Sequence, residues 1–125
     1  DTAESSVAIM VSHMVPIFMR IVEYLDRSGQ SPFGKWFGDL DPSAAAKVTT
    51  ALTRMRLGNL ASVKSVGDGV SESRIDWGPG YRIYFGREGD ELVVLLAGGT
   101  KRRQDKDISA AKARWQDYRN RRKEQ

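Results

Sequence analysis

The sequence predicts an α+β domain in which helices pack on a mostly antiparallel sheet. Two observations carry that reading. Short β-branched and aromatic runs flank Gly78-Pro79-Gly80, and the continuously apolar Leu92–Ala97 follows, so strands succeed one another through the second half of the chain. Helical signals stand on either side of them: Ser31-Pro32 and Asp41-Pro42 before, and the spacing of Ile108, Ala111, Trp115 and Tyr118 after. The expected order is β-α-α-β-β-β-α, with room for a short edge strand near Ala61–Val66.

Residues 1–14 have no periodicity and read as a disordered extension, with Met10 and Met14 as candidate starts; one domain is expected over 15–125. Ile17–Leu25 is apolar and β-branched enough for a first strand, closed by the turn residues Asp26, Ser28 and Gly29. Ser31 and Asp41 are good N-caps, each directly before a proline at the first helical position. The first helix is short and sets Phe33, Trp36, Phe37 and Leu40 on one side. The second carries an apolar stripe of Ala45, Val48, Leu52 and Met55, and Gly58 ends it.

If the central hairpin pairs symmetrically about Pro79, Asp76 faces Arg82, Ile75 faces Ile83 and Arg74 faces Tyr84. Alternation then places Ile75, Trp77, Tyr81, Ile83 and Phe85 on a buried side. Arg74, Asp76, Arg82 and Tyr84 take the opposite side, which is where chemistry is expected. Arg87–Asp90 is a second turn. Leu92–Ala97 has the composition of a central strand covered on both faces, and Gly98-Gly99 is expected to stop it. A basic loop holding Lys101, Arg102, Arg103 and Lys106 leads into a last helix whose outer face is cationic.

Composition narrows the function. At 125 residues, 40% of them hydrophobic, the chain is long enough for one real core. It has no cysteine, which removes disulfides, thiolate metal sites and a cysteine nucleophile. The one histidine, His13, lies in the extension, so paired-histidine ribonuclease chemistry, Ser-His-Asp catalysis and a histidine metal site are set aside. No phosphate-cradling glycine loop is present. No apolar run approaches the roughly 20 residues of a bilayer span, and no secretory signal opens the chain, so a cytoplasmic protein without a membrane partner is expected.

Twenty Lys and Arg against sixteen Asp and Glu give a net charge of +4. The excess gathers in the loop from Lys101 to Lys106 and in the C-terminal segment, where a solvated helix face and nucleic-acid contact both fit. Glu72, Asp76, Asp105 and Asp107 could hold magnesium, but carboxylates among so many cations are expected to be ion-paired; no metal and no other cofactor is expected. A cation cluster at one sheet edge suits RNA cleavage by its own 2′-hydroxyl, because guanidiniums meet the phosphorane's extra charge in a bidentate fork. The competing role is structural: Arg82 pairs with Asp76 across the hairpin.

Residues 17–118 also carry a series of short motifs in a fixed order. These are Ser31-Pro-Phe-x-x-Trp36, Arg56-Leu-Gly-Asn59, Val63-Lys-Ser-Val-Gly67 and Gly69-Val-Ser-Glu-Ser-Arg-Ile-Asp76. Gly78-Pro-Gly-Tyr-Arg-Ile-Tyr-Phe85, Leu95-Leu-Ala-Gly-Gly-x-Lys101 and Gln104-Asp-Lys-Asp-Ile108 complete it. In this order they resemble the RelE/ParE superfamily of bacterial type II toxins, in particular the HigB-like "addiction module killer protein" branch. The resemblance implies the RelE-like fold, with two N-terminal helices on an antiparallel sheet. It implies a toxin neutralised by a cognate antitoxin, usually a DNA-binding protein encoded alongside, and metal-independent cleavage of messenger RNA on the ribosome. Its catalytic positions fall on Arg82 and Lys101, with Arg74 matching a strand position that is lysine in some relatives. Lys64, Arg102, Arg103, Lys106 and Arg119 are the expected RNA contacts. Two departures stand out: the C-terminal tyrosine of some RelE proteins has no counterpart, the region of Asp107 taking its place. Arg102-Arg103 also stand where relatives often carry small hydroxyl residues. A ParE-like DNA gyrase inhibitor without nuclease activity is the alternative, and a non-toxic partner-binding relative is a third.

Overall fold

The first two helices begin where a side chain can satisfy a free amide of the first turn. In the computed structural model, which describes residues 18–124, the Ser31 hydroxyl accepts from the Gly34 N–H at 2.8 Å and the Asp41 carboxylate from the Ala44 N–H at 2.9 Å. Prolines 32 and 42 take the following position, where a missing N–H costs nothing. The elements are β1 (Arg20–Glu23), α1 (Pro32–Gly38), α2 (Pro42–Arg56), β2 (Val63–Gly67), β3 (Val70–Ile75), β4 (Tyr81–Glu88), β5 (Leu92–Thr100), a 3₁₀ turn (Lys101–Arg103) and α3 (Gln104–Lys123). Gly58, at φ +85°, supplies the left-handed residue that ends α2. Expectations for residues 1–14, His13 included, and for Ile17 lie outside the described residues.

The fold is α+β: among the described residues, one five-stranded mixed sheet and three α-helices. Strand order is β1-β5-β4-β3-β2, with β1 parallel to β5 and the other neighbours antiparallel. The edge strand expected near Ala61–Val66 is β2. Helices α1 and α2 cover one face, where Phe33, Val48, Met55, Ile83, Phe85, Val93 and Leu95 form a core. Helix α3 covers the other, packing Ala111 and Trp115 on Val70, Tyr84, Val94 and Leu96. Along α2 the innermost small residue is Ala44 rather than Ala45.

Three local expectations are corrected. First, β5 does not stop at Gly98-Gly99 but runs through both to Thr100. These glycines give room instead of breaking the strand: a Cβ on Gly98 would collide with the Trp36 ring, and one on Gly99 with the Asp107 carboxylate. Second, Lys101–Arg103 form a 3₁₀ turn and Lys106 is already inside α3, so the basic loop is a helix start.

Third, the hairpin is centred on Gly78 instead of Pro79. Ile75 pairs with Tyr81, Arg74 with Arg82, Ser73 with Ile83 and Glu72 with Tyr84. The Gly80 N–H bonds the Trp77 carbonyl at 3.0 Å, so the tight turn is Trp77–Gly80 and it draws Asp76 out of the ladder. Gly78, at φ +58°, takes the first central position, which suits glycine. The move is even-numbered in register, so side chains keep their faces: Ile75, Tyr81, Ile83 and Phe85 still share one side.

Candidate functional site

The corrected register sets two arginines directly opposite each other, an arrangement that like charges disfavour. Glu72, two residues before Arg74 on the same face of β3, resolves it. Its side chain is fully buried and accepts from Arg74 Nε at 2.9 Å and from Gln104 Nε2 of α3 at 2.7 Å. Arg82 Nε lies 3.8 Å from the same carboxylate. Burial pushes the Glu72 carboxyl up, but the Arg74 and Gln104 hydrogen bonds and the charges of Lys64 and Arg74 outweigh it, holding it below the ordinary range. Glu72, not Asp76, is therefore the carboxylate that pairs by charge with Arg82, whose buried Nε has no hydrogen-bond partner among the described residues.

The face that carries Arg74, Arg82 and Tyr84 is not open to solvent over its length. Helix α3 crosses it, and Arg82 is only 4% exposed. Its Nη1 donates to the Tyr81 carbonyl at 3.1 Å. At the hairpin end the site opens around Gly80. A Cβ there would stand 3.5 Å from Lys101 Cβ and 3.6 Å from Arg82 Nη1, so both predicted cations border the Gly80 backbone. The Lys101 N–H fixes this arrangement by donating to the Gly80 carbonyl at 2.8 Å. Arg74, across the ladder from Arg82, is partly exposed. The three residues expected to be catalytic thus meet at one end of the β3-β4-β5 sheet.

The expected RNA contacts divide. Lys64 is the cross-strand partner of Glu72 and belongs to this face. Arg102 and Arg103 project from the 3₁₀ turn beside Lys101, with Lys106 one helical turn on, all exposed. Arg119 is not brought to the site: it is exposed near the far end of α3, roughly 20 Å along the axis from Gln104. Other cations of that helix serve the protein itself. Arg114 donates to the Leu96 carbonyl at 2.9 Å, and Arg121 to the Leu25 carbonyl. Lys112 pairs with Asp68, and Arg122 with Glu88.

The sequence places Tyr84 on this face and singles out Asp107, but it does not show that the hydroxyl of one and a carboxylate oxygen of the other are buried without partners. The Tyr84 hydroxyl is fully buried without a hydrogen-bond partner among the described residues, and Asp107 Oδ2 is likewise unpartnered. Burial raises the Tyr84 phenol far above its usual range, and the negative charges of Glu72 and Asp107 add to it. Burial also raises the Asp107 carboxyl, more than the nearby Arg103 and Arg114 lower it. The signal for Asp107 was present in Gly98-Gly99, since a glycine pair inside a strand marks a close approach. Glu72 and Asp107 do not join other carboxylates or imidazoles in a group of three among the described residues. No described helix is long and apolar enough to cross a membrane.

No family model matches the chain. It is 46% identical over 81 residues to a Haemophilus influenzae protein described as an uncharacterized protein, a match that covers 64% of this chain and 82% of that one. The chain belongs to the same family as that Haemophilus influenzae protein.

Proposed function

We propose that this protein is the toxin of a type II toxin–antitoxin pair, a RelE-like, metal-independent endoribonuclease that cuts messenger RNA on the ribosome. The observation that carries this reading is the placement of Arg74, Arg82 and Lys101 toward the Gly80 end of the sheet, with Glu72 hydrogen-bonded to Arg74 and within ion-pair distance of Arg82. Arg82 and Lys101 would meet the charge of the phosphorane, and Arg74 would position the scissile phosphate. Lys64, Arg102, Arg103 and Lys106 surround this point with positive charge for the RNA backbone. A cytoplasmic setting, the ribosome and a cognate DNA-binding antitoxin follow from the same reading. The motif series from Ser31 to Ile108 supports it independently of the geometry.

The test is primer extension on a defined messenger in a reconstituted translation system, with wild type beside Arg82→Ala. New 5′ ends that require ribosomes and vanish in the variant are the expected result. Intact messenger and unimpaired translation would overturn it, and a gyrase supercoiling assay would then decide for the ParE-like alternative.

A further inference from the structure

A second feature lies on the opposite side of β3 from Arg82. Helix α2 and the β3–β4 hairpin enclose a cleft of about 390 Å³, lined by Lys47, Arg54, Ser73, Arg74, Asp76 and Trp77 among others. Lys47 and Arg54 are two turns apart on the same face of α2, roughly 10 Å along its axis. Neither has a carboxylate partner among the described residues, where seven ion pairs form elsewhere. Trp77 is half-buried; its ring stacks on Tyr81 at 6.2 Å and 24°, and Lys47 Nζ stands 5.7 Å from its centroid. Arg74 borders the cleft through its place on β3, while its Nε is held by Glu72 on the other face. Two cations without a carboxylate partner, Lys47 and Arg54, beside an indole fixed by its neighbours, make a composition suited to a base with its flanking phosphates.

We propose that this cleft is a second RNA subsite, in which a nucleotide flanking the scissile position stacks its base on Trp77 and sets its phosphates against Lys47 and Arg54. The inference rests on the nuclease reading for the identity of the strand, and β3, which carries Arg74 on one face and Ser73 and Ile75 on the other, lies between the two sites. Cleft and catalytic face are separated by the width of β3, so a single strand passes from one to the other around the hairpin.

The test is equilibrium binding of a fluorescein-labelled, fully 2′-O-methylated heptaribonucleotide, which lacks the attacking hydroxyl and cannot be cut. Lys47→Ala/Arg54→Ala should weaken binding at least tenfold and reduce the salt slope by about 1.4, the share of two phosphate contacts on a single strand. Trp77→Ala should weaken it by about fivefold to a hundredfold, with Trp77→Phe retaining most of the affinity. Thermal melts establish that each variant is folded, and the two surface changes on α2 keep the test valid if Trp77→Ala is not. Unchanged affinity in the Lys47/Arg54 variant, or no binding by wild type at low salt, overturns the inference. So does a polyglutamate peptide of equal charge bound as tightly as the RNA with no dependence on Trp77. Cleavage is read separately in the translation system. Wild type and cleft variants that cut and bind alike remove the subsite and leave the nuclease; binding through the cleft without cleavage removes the nuclease and leaves the subsite.

Discussion

Glu72 is the residue on which the site turns, because it is the buried charge that two guanidiniums and an amide share. Arg82→Ala leaves that carboxylate with Arg74 and Gln104, so the domain should stay folded at a cost of about 1–3 kcal/mol. A melting point lower by roughly 3–10 °C with activity abolished would bear this out. Glu72→Ala is the harsher change, since it strands Arg82 in a buried position without its counter-charge. It should cost about 3–5 kcal/mol by urea denaturation, and a loss below 1 kcal/mol would contradict the anchoring role. Acid separates Glu72 from Asp107. The native carboxyl of Glu72 is depressed, so its stabilisation is present above the unfolded value of 4.5 and is lost as pH falls through the lower native value. Asp107 is raised, so its ionisation weakens the fold as pH rises through a native value above 3.8. Asp107→Asn should therefore stabilise the protein at pH 7 and lose that advantage toward pH 3, read from melts across the range. Of these roles the sequence displayed the cations and hid their partner. Two residues along a strand share a face, so Glu72 was always on the arginine side; the hairpin register withheld which carboxylate Arg82 would meet.

At the level of elements, boundaries were legible wherever a backbone group needs a particular side chain. Ser31, Asp41 and Gly58 satisfy helix ends, and their helices begin and end beside them. Strand faces were legible through alternation, which survives a register change of two. The turn geometry was not, because Gly78-Pro79-Gly80 admits more than one tight turn. Gly98-Gly99 misled for a related reason: a glycine that breaks a strand and one that admits a neighbour look alike until the neighbour is known. Gly86 is a further such position, since a Cβ there would enter the Trp115 ring. Gly86→Ala should lose about 1–3 kcal/mol through overpacking, whereas Gly38→Ala, with open space around it, should change stability by less than about 1 kcal/mol. Equal melting curves for the two variants would contradict this account of the α3 packing. Ile83→Asp should unfold the domain outright, because Ile83 is fully buried between the sheet and α1–α2; a native-like circular dichroism spectrum would contradict the face assignment.

The whole molecule divides its charge by purpose. Lys112, Arg114, Arg121 and Arg122 of α3 fasten the helix to the sheet and loops, while the cations near the hairpin end remain exposed around Gly80. The sequence showed both groups as one cationic face, since a count of Lys and Arg does not say which find a carbonyl or carboxylate close by. The sheet has its own asymmetry. β5, the fifth strand in chain order, is the one to which both β1 and β4 bind, and Arg20–Glu23 pair with Leu92–Leu95. A contact between segments so far apart in the chain closes late, after the local hairpins have formed. Synthesis must therefore pass Leu95 before β1 meets its partner strand, about 70 residues after β1 itself has been made. A chaperone or partner that reached β1 first would find an unpaired strand edge on offer, and that competition is open only until β5 has been made and docked.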